Sequence, residues 1–417
     1  MKKIVALFAL IMVLIAGCTL QAPPPQPTEA PPTVPTSVPA ATEPLAPPTD
    51  VPAATATSAP TIEPTAVPPT ATATHPAPAV ILAYLDAVGN INIKNLTTGE
   101  VTAITSDASG DPSKPMIHYG VPRFSSNGAF LAFGRDESTP QADGSYSAVN
   151  NLVIYKLTDA SQRLVLVEDW LAGYDWKPGS HLLSYTLGVA TEYFVDSAHP
   201  GARGVYEIDA DKNEDPTILV SPQGFTLMNP VWTPDGKYLY FEEVAAMEGA
   251  GNLARFDPET STYTAYQKTV GSYDISPTEP KIAYDQLSYA PQGIETIRVS
   301  DLDLKTVQDL TQLDENGFQS RPRFSPDGKF IAYKTSVSLT GEADTTTKVF
   351  NVPVDGSAAP KEIYTGMQVF DLGWMPDGKS VLLFTGSYEQ PSIRQVPLDG
   401  SAISDLVSGR DWDAIVK

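Results

Sequence analysis

The sequence predicts an all-β fold of repeated four-stranded antiparallel meanders, the blades of a β-propeller. Three observations carry that expectation. A short segment recurs six times, roughly 43 to 56 residues apart, the period of propeller blades. Each copy holds two strand-like runs joined by turn residues, and two more strand signals follow it. Ahead of the repeats lies a stretch of Pro, Thr and Ala that cannot build a core.

At the N-terminus, Lys2 and Lys3 precede an unbroken apolar run, Ile4 to Ile15. It is short for a bilayer span and right for a signal peptide. The run ends Ile15-Ala16-Gly17-Cys18: a branched apolar residue, two small residues and the chain's one cysteine. This resembles the lipobox of bacterial lipoproteins. The resemblance implies cleavage after Gly17 and acylation of the Cys18 thiol, palmitate included. Residues 1–17 are then a lipoprotein signal peptide, and the protein is a lipoprotein anchored through Cys18 to a bacterial membrane. The rest would lie outside the cytoplasm, at the cell surface or in the periplasm. With one cysteine, no intrachain disulfide forms.

Residues 18–79 read as the lipidated Cys followed by a disordered linker. No Lys or Arg occurs between Lys3 and Lys94, and proline fixes φ while removing donors. Roughly 60 residues at about 3.1 Å each could reach about 190 Å. Such a segment is a standoff arm.

Residues 80–417 are the propeller. The repeat copies are VPRFSSNGAFLAF from Val121, YDWKPGSHLLSY from Tyr174, PVWTPDGKYLYF from Pro230, YDISPTEPKIAY from Tyr273, PRFSPDGKFIAY from Pro322 and LGWMPDGKSVLLF from Leu372. Each large residue (Phe124, Trp176, Trp232, Ile275, Phe324, Trp374) closes a first strand. Pro then presets the first turn position, Asp suits the second, and Gly takes the left-handed place. A second strand follows, with period-two alternation as in Tyr238-Leu239-Tyr240-Phe241. The stretch GWMPDGKS (373–380) matches a phosphate-binding loop as a pattern. That loop must open a helix, whereas Ser380 here opens the strand Val381-Leu382-Leu383-Phe384. No nucleotide is expected.

The repeat resembles the WD40-like propeller repeats of TolB-type periplasmic proteins, and it covers nearly all of residues 80 to 417. The copies at Trp232, Phe324 and Trp374 are close, and those at Ser126-Asn127-Gly128 and Pro178-Gly179 are partial. Thr278-Glu279-Pro280 lacks Gly, so its turn must differ. The resemblance implies the fold and a habit of binding other molecules, without one activity.

Seven blades are expected, with six, as in TolB itself, the alternative. Ile81 to Thr105 reads as three strands of a blade lacking its innermost one. The chain ends GRDWDAIVK, where Asp411-Trp412 echoes Asp175-Trp176, so the last strand could fill that place and remove two open edges.

Composition and motifs narrow the function. The 27 Lys plus Arg against 49 Asp plus Glu leave a net charge of −22, which repels nucleic acid. There is no G-x-S-x-G elbow, and His118, His181 and His199 show no metal spacing. Asp209, Asp211, Asn213 and Asp215 have the spacing of a calcium loop's first half. Glu214 stands where that loop needs Gly, and Val220 where it needs its bidentate acid. A polar turn is the plainer expectation, calcium the alternative, and no other cofactor is expected. Trp176, Trp232, Trp374 and Trp412 are read as blade-packing residues rather than a sugar-binding box.

The expected function is a membrane-tethered scaffold module of the cell envelope that binds protein, peptide or glycan. The alternative is a propeller-type hydrolase or lyase acting on envelope or extracellular glycans or peptides. Perturbed carboxylates converging on the central channel would favour the alternative. Binding is expected on the face carrying the strand-two-to-three loops and the blade connections. Its candidates are Arg135, Asp136 and Tyr146 in a loop from Arg135 to Asn150, Tyr193, Phe194, Asp196 and Arg203, then Tyr289 and Tyr388.

Overall fold

The structure is a computed structural model. It describes residues 78–417 except 168–169, 189–203, 222–225, 245–250, 287–295, 313–317, 337–345 and 388–389. Gly17, Cys18 and the linker lie outside the described residues. All described structure belongs to one compact unit, Thr74–Lys417. Among the described residues the regular structure is β-strand, without helix.

The first sheet joins the two ends of the chain. β1 (Val80–Asp86), β2 (Ile91–Asn95) and β3 (Val101–Ala103) are completed by the last strand, β28 (Gly409–Val416), in the order β28-β1-β2-β3. Val80 pairs with Val416, and Ala79 and Lys417 exchange two backbone hydrogen bonds of 2.8 Å. The innermost place is therefore filled from the C-terminus, as the sequence predicts.

In the second meander β4 (Met116–Tyr119) and β5 (Arg123–Phe124) both pair with β6 (Phe130–Pro140), followed by β7 (Tyr146–Lys156) and β8 (Gln162–Val167). The third runs β9 (Trp170–Trp176), β10 (Leu182–Gly188), β11 (Val205–Asp209), β12 (Thr217–Val220). The next sheet has seven strands because β16 (Thr262–Ile275) serves twice. It ends the meander of β13 (Thr226–Trp232), β14 (Leu239–Val244) and β15 (Gly251–Asp257). It also begins that of β17 (Lys281–Gln286), β18 (Thr296–Asp301) and β19 (Val307–Asp309). Two further meanders follow: β20 (Phe318–Phe324), β21 (Phe330–Ser336), β22 (Thr347–Pro353), β23 (Lys361–Gly366), then β24 (Val369–Trp374), β25 (Ser380–Gly386), β26 (Pro391–Pro397), β27 (Ser404–Val407).

The turn after each innermost strand has the expected chemistry. Gly236, Gly328 and Gly378 have φ of 67°, 69° and 68°, where a Cβ would be strained. Thr233 Oγ1 donates to Asp235 at 2.6 Å and accepts the Tyr238 N–H at 3.0 Å, and Ser325 repeats both bonds with Asp327 and Phe330. The copy without Gly does turn differently: the Lys281 N–H donates to Glu279 O at 2.7 Å. GWMPDGKS is such a hairpin turn, between β24 and β25, with the Gly378 N–H donating to Met375 O at 2.9 Å.

The second strand of each meander corrects the expectation of simple alternation. Leu239, Tyr240 and Phe241 are all fully buried. Leu239 and Phe241 face one neighbouring meander, with Trp232 and Val205, while Tyr240 faces the other, with Ile282 and Tyr284. A strand packed on both faces reads as a continuous apolar run. The same division holds throughout. Each buried cluster is an interface between consecutive meanders, from Leu85 with Phe133 to Tyr364 with Leu383. The last, Leu82 and Tyr84 with Leu382 and Ile393, joins β24–β27 back to the first sheet. The core is a cycle of interfaces, the layout of a β-propeller.

Candidate functional site

The innermost strands surround a cavity of about 1080 Å³ lined from β5, β9, β13, β16, β20, β24 and β28. Its wall follows a rule set by the residues just before each large repeat residue. One place before it stand Arg123, Asp175, Val231, Asp274, Arg323, Gly373 and, in β28, Asp413. The three aspartates each accept the backbone N–H of the large residue in the following meander. Phe124 donates to Asp413 at 2.7 Å, Trp232 to Asp175 at 2.9 Å, and Phe324 to Asp274 at 2.7 Å. Where arginine stands instead, the next indole makes the link: Trp176 Nε1 donates to Arg123 O at 3.0 Å and Trp374 Nε1 to Arg323 O at 2.9 Å.

Two places before the large residue, Tyr174, Tyr273 and Trp412 precede the aspartates, while Pro122, Pro230 and Pro322 stand in the strands between. The Tyr174 and Tyr273 hydroxyls donate back to Val121 O and Asn229 O of the preceding meander. β9 and β16 thus hold a neighbour on each side, and aromatic-Asp strands alternate with proline strands. The alternation fails in β24, where Leu372-Gly373 stand.

Three places before, the strands bulge. Asn229, Arg321 and Asp411 have φ of 51°, 57° and 45°, costing on the order of 1–3 kcal/mol each. Second strands hold these bulges. Glu242 accepts from Asn229 Nδ2 at 3.2 Å. Asp285 accepts the amides of Gly271 at 2.6 Å, Ser272 at 2.7 Å and Arg321 at 3.3 Å, and the Ser272 hydroxyl at 2.5 Å.

Burial sets the electrostatics. It pushes Asp175 up to about 7, against the Trp232 amide and Arg123, and Glu242 up to about 7, against Asn229. It also raises Asp274, Asp285 and Asp413. Asp371 goes the other way: burial raises it, but Arg323 and Arg321 outweigh that and bring it below the ordinary value. Arg321 Nη1 lies 3.0 Å and Arg323 Nη2 3.7 Å from Asp371 Oδ1. Two carboxyls near neutrality can exchange protons at neutral pH. Among the described residues no His or Cys lines the cavity, and the Ser272 hydroxyl is shared between Asp285 and the Arg321 amide. The described lining offers charge of both signs and hydrogen bonds.

Of the residues singled out from sequence, Asp136 lines this cavity. Arg135 does not; its guanidinium pairs with Glu137 at 2.9 Å and Asp107 at 3.5 Å. Tyr146 is exposed on the hairpin. The expected loop from Arg135 to Asn150 is corrected to two long strands, β6 and β7, paired from Phe130–Lys156 to Pro140–Tyr146 around a short turn. Its polar alternating residues suit a solvated hairpin as well as a loop. Tyr193, Phe194, Asp196, Arg203, Tyr289 and Tyr388 lie outside the described residues.

The residues with calcium-loop spacing lie in a polar turn. Asp209, Asp211, Asn213 and Asp215 form the turn after β11, and the Arg163 guanidinium donates to the carbonyls of Asp209, Lys212 and Glu214. Asp209 pairs with Lys212 at 3.0 Å and Asp211 with His181 at 2.6 Å. Arg163 and Lys212 thus engage part of the turn's oxygens. Among the described residues no three His, Cys, Asp or Glu side chains converge as a metal site. The echo placed at Asp411-Trp412 shifts by two residues: Asp413 does what Asp175 does, and Trp412 matches Tyr174. Trp176 and Trp232 pack between meanders, nearly fully buried. Sequence reasoning missed Arg123, Glu242, Asp274, Asp285, Arg321, Arg323 and Asp371. For Arg123, Asp274 and Arg323 the readable signal was the alternation of aromatic-Asp with a Pro-led pair before the large residues; Glu242, Asp285, Arg321 and Asp371 lie outside it.

No protein-family model and no curated protein matches this sequence. Solved structures are similar in fold. An oligogalacturonate lyase in complex with manganese aligns at TM-score 0.54 and 13% identity, over 79% of this chain and 85% of that one. A prolyl endopeptidase aligns at TM-score 0.57 and 13% identity over 78% of this chain, which spans 46% of that one, about half its length. TolB from Acinetobacter baumannii aligns at TM-score 0.47 and 12% identity, over 81% and 66%. The likenesses to the lyase and the endopeptidase show the fold, not the activity.

Proposed function

We propose that the protein is a lipid-tethered, extracytoplasmic β-propeller of seven blades that binds a polar segment of an envelope protein, peptide or glycan in its central cavity. The observation that carries this is the cavity itself, ringed by charges of both signs on a rigid cycle of interlocked strands. Seven blades account for the single break in the alternation at β24, because two alternating strand types cannot close an odd ring. The tether rests on the lipobox at Ile15 to Cys18 and the linker after it. Cys18→Ser should release the protein from the membrane fraction and abolish palmitate labelling.

The binding test is crosslinking capture from the native envelope by the full chain. Val231→Trp, which narrows the cavity, should lose the captured partner while the thermal transition stays cooperative. Lys237→Trp, at the turn on the opposite face, should retain it. Capture that survives Val231→Trp rules the cavity out. A second reading is supported by Asp175 and Glu242, whose carboxyls can move protons near neutral pH. A hydrolase or lyase would release new chain ends from glycan or peptide, and Glu242→Gln would stop that release while leaving capture intact.

A further inference from the structure

The break in the alternation leaves one sector of the cavity unlike the rest. At β24 no aromatic-Asp pair reaches toward β20. Instead Arg321 and Arg323 of β20 both turn to one carboxylate oxygen, Asp371 Oδ1. Lys334 of the adjoining β21 lines the same cavity, its Nζ donating to Val369 O at 2.8 Å. Beside them Gly373 removes a side chain, and a Cβ there would stand 3.4 Å from the Trp412 ring.

We propose that this sector is an anion subsite, in which the guanidinium of Arg321, with Arg323 beside it, binds a carboxylate of the ligand. The inference rests on the cavity-binding reading above. Three features support it. Two guanidinium groups share one carboxylate oxygen, Asp371 Oδ1, with Lys334 lining the cavity beside them. Local cations dominate there strongly enough to hold Asp371 below its ordinary value despite burial. The Arg321 side chain is 43% exposed, so its pair with Asp371 is a poor structural staple. Yet its backbone is kept in a left-handed conformation, the amide clamped by Ser272 Oγ at 3.0 Å and by Asp285. The guanidinium thus reaches into the cavity from a fixed bulge, one that recurs at Asn229 and Asp411. The planar guanidinium fork matches a carboxylate in two parallel hydrogen bonds. Asp371 acts as the resident competitor, occupying the fork until a ligand carboxylate replaces it.

The test is calorimetric titration of the full chain with two acidic probes, hexaglutamate and trigalacturonate, each beside its neutral counterpart, hexaglutamine and the methyl ester. At least one acidic probe should bind and its neutral counterpart should not. The binding arm identifies the source of the carboxylate as peptide or glycan. Arg321→Gln with Arg323→Gln should weaken binding by about tenfold or more, and Asp371→Asn, which removes the competitor, should tighten it several-fold. The gain on Asp371→Asn keeps the test decisive if the arginine variants fold poorly, because a purely structural ion pair would give no gain. Equal binding of neutral probes, no binding by either acid, or no tightening on Asp371→Asn overturns the inference. If envelope capture depends on Val231 but not on Arg321 or Asp371, the cavity reading stands and this subsite falls.

Discussion

Asp175 shows how one residue joins structure to pH. Its carboxylate links two meanders by accepting the Trp232 amide, and burial pushes it up to about 7 from an ordinary 3.8. Between those values the folded protein holds a proton that the unfolded chain has released. Stability therefore falls as pH rises from about 4 to about 7. Glu242, raised from 4.5 to about 7, acts in the same direction. Asp371, held below 3.8, loses its contribution only at more acid pH. Thermal melts should give a higher midpoint at pH 5 than at pH 8. Asp175→Asn with Glu242→Gln should flatten that slope; an unchanged slope would place its origin in the general acidity of the chain.

At the scale of the element, the hairpin turns share one conformation but not one environment. Gly236 and Gly328 have nearly the same φ, so alanine at either costs on the order of 1 kcal/mol in backbone conformation. A Cβ on Gly236 would meet the flexible Lys177 at an ordinary 3.4 Å, whereas one on Gly328 would overlap Thr278 Oγ1 of the neighbouring turn. Gly328→Ala should lower stability clearly more than Gly236→Ala in denaturant titration. The first strand, the turn and the following strand were all legible in the sequence, because they are contacts within about a dozen residues. The both-faced burial of the second strand was not, because its second face is covered by another meander.

At the scale of the whole molecule, closure rests on β28. It covers β1, brings Ile415 to one interface and Trp412 and Ala414 to another, and offers Asp413 to the Phe124 amide. Removing Gly409 to Lys417 leaves the inner edge of β1 unpaired and opens two apolar interfaces at once. The melting temperature should fall by roughly 10 °C or the cooperative transition should disappear. A deletion with an unchanged transition would mean that the remaining sheets hold together without the closing strand.

The sequence by itself determined the repeat and its period, the turn after each first strand, the strand character of GWMPDGKS and the closing place of the last strand. Each depends on residue type at short spacing, or on a count of strands left without a partner. Only the tertiary structure decided which charged groups share the central cavity. Arg321, Asp371 and Glu242 lie on strands roughly 50 to 130 residues apart and meet only because the meanders pack in a cycle around one axis. The candidates chosen from sequence were those whose residue types looked suited to recognition, and Arg135 turned out to be engaged with Glu137 and Asp107. Burial, which shifts Asp175 and Glu242 toward neutrality, and the sharing of one carboxylate by two guanidinium groups are properties of surroundings, and no window along the chain contains them.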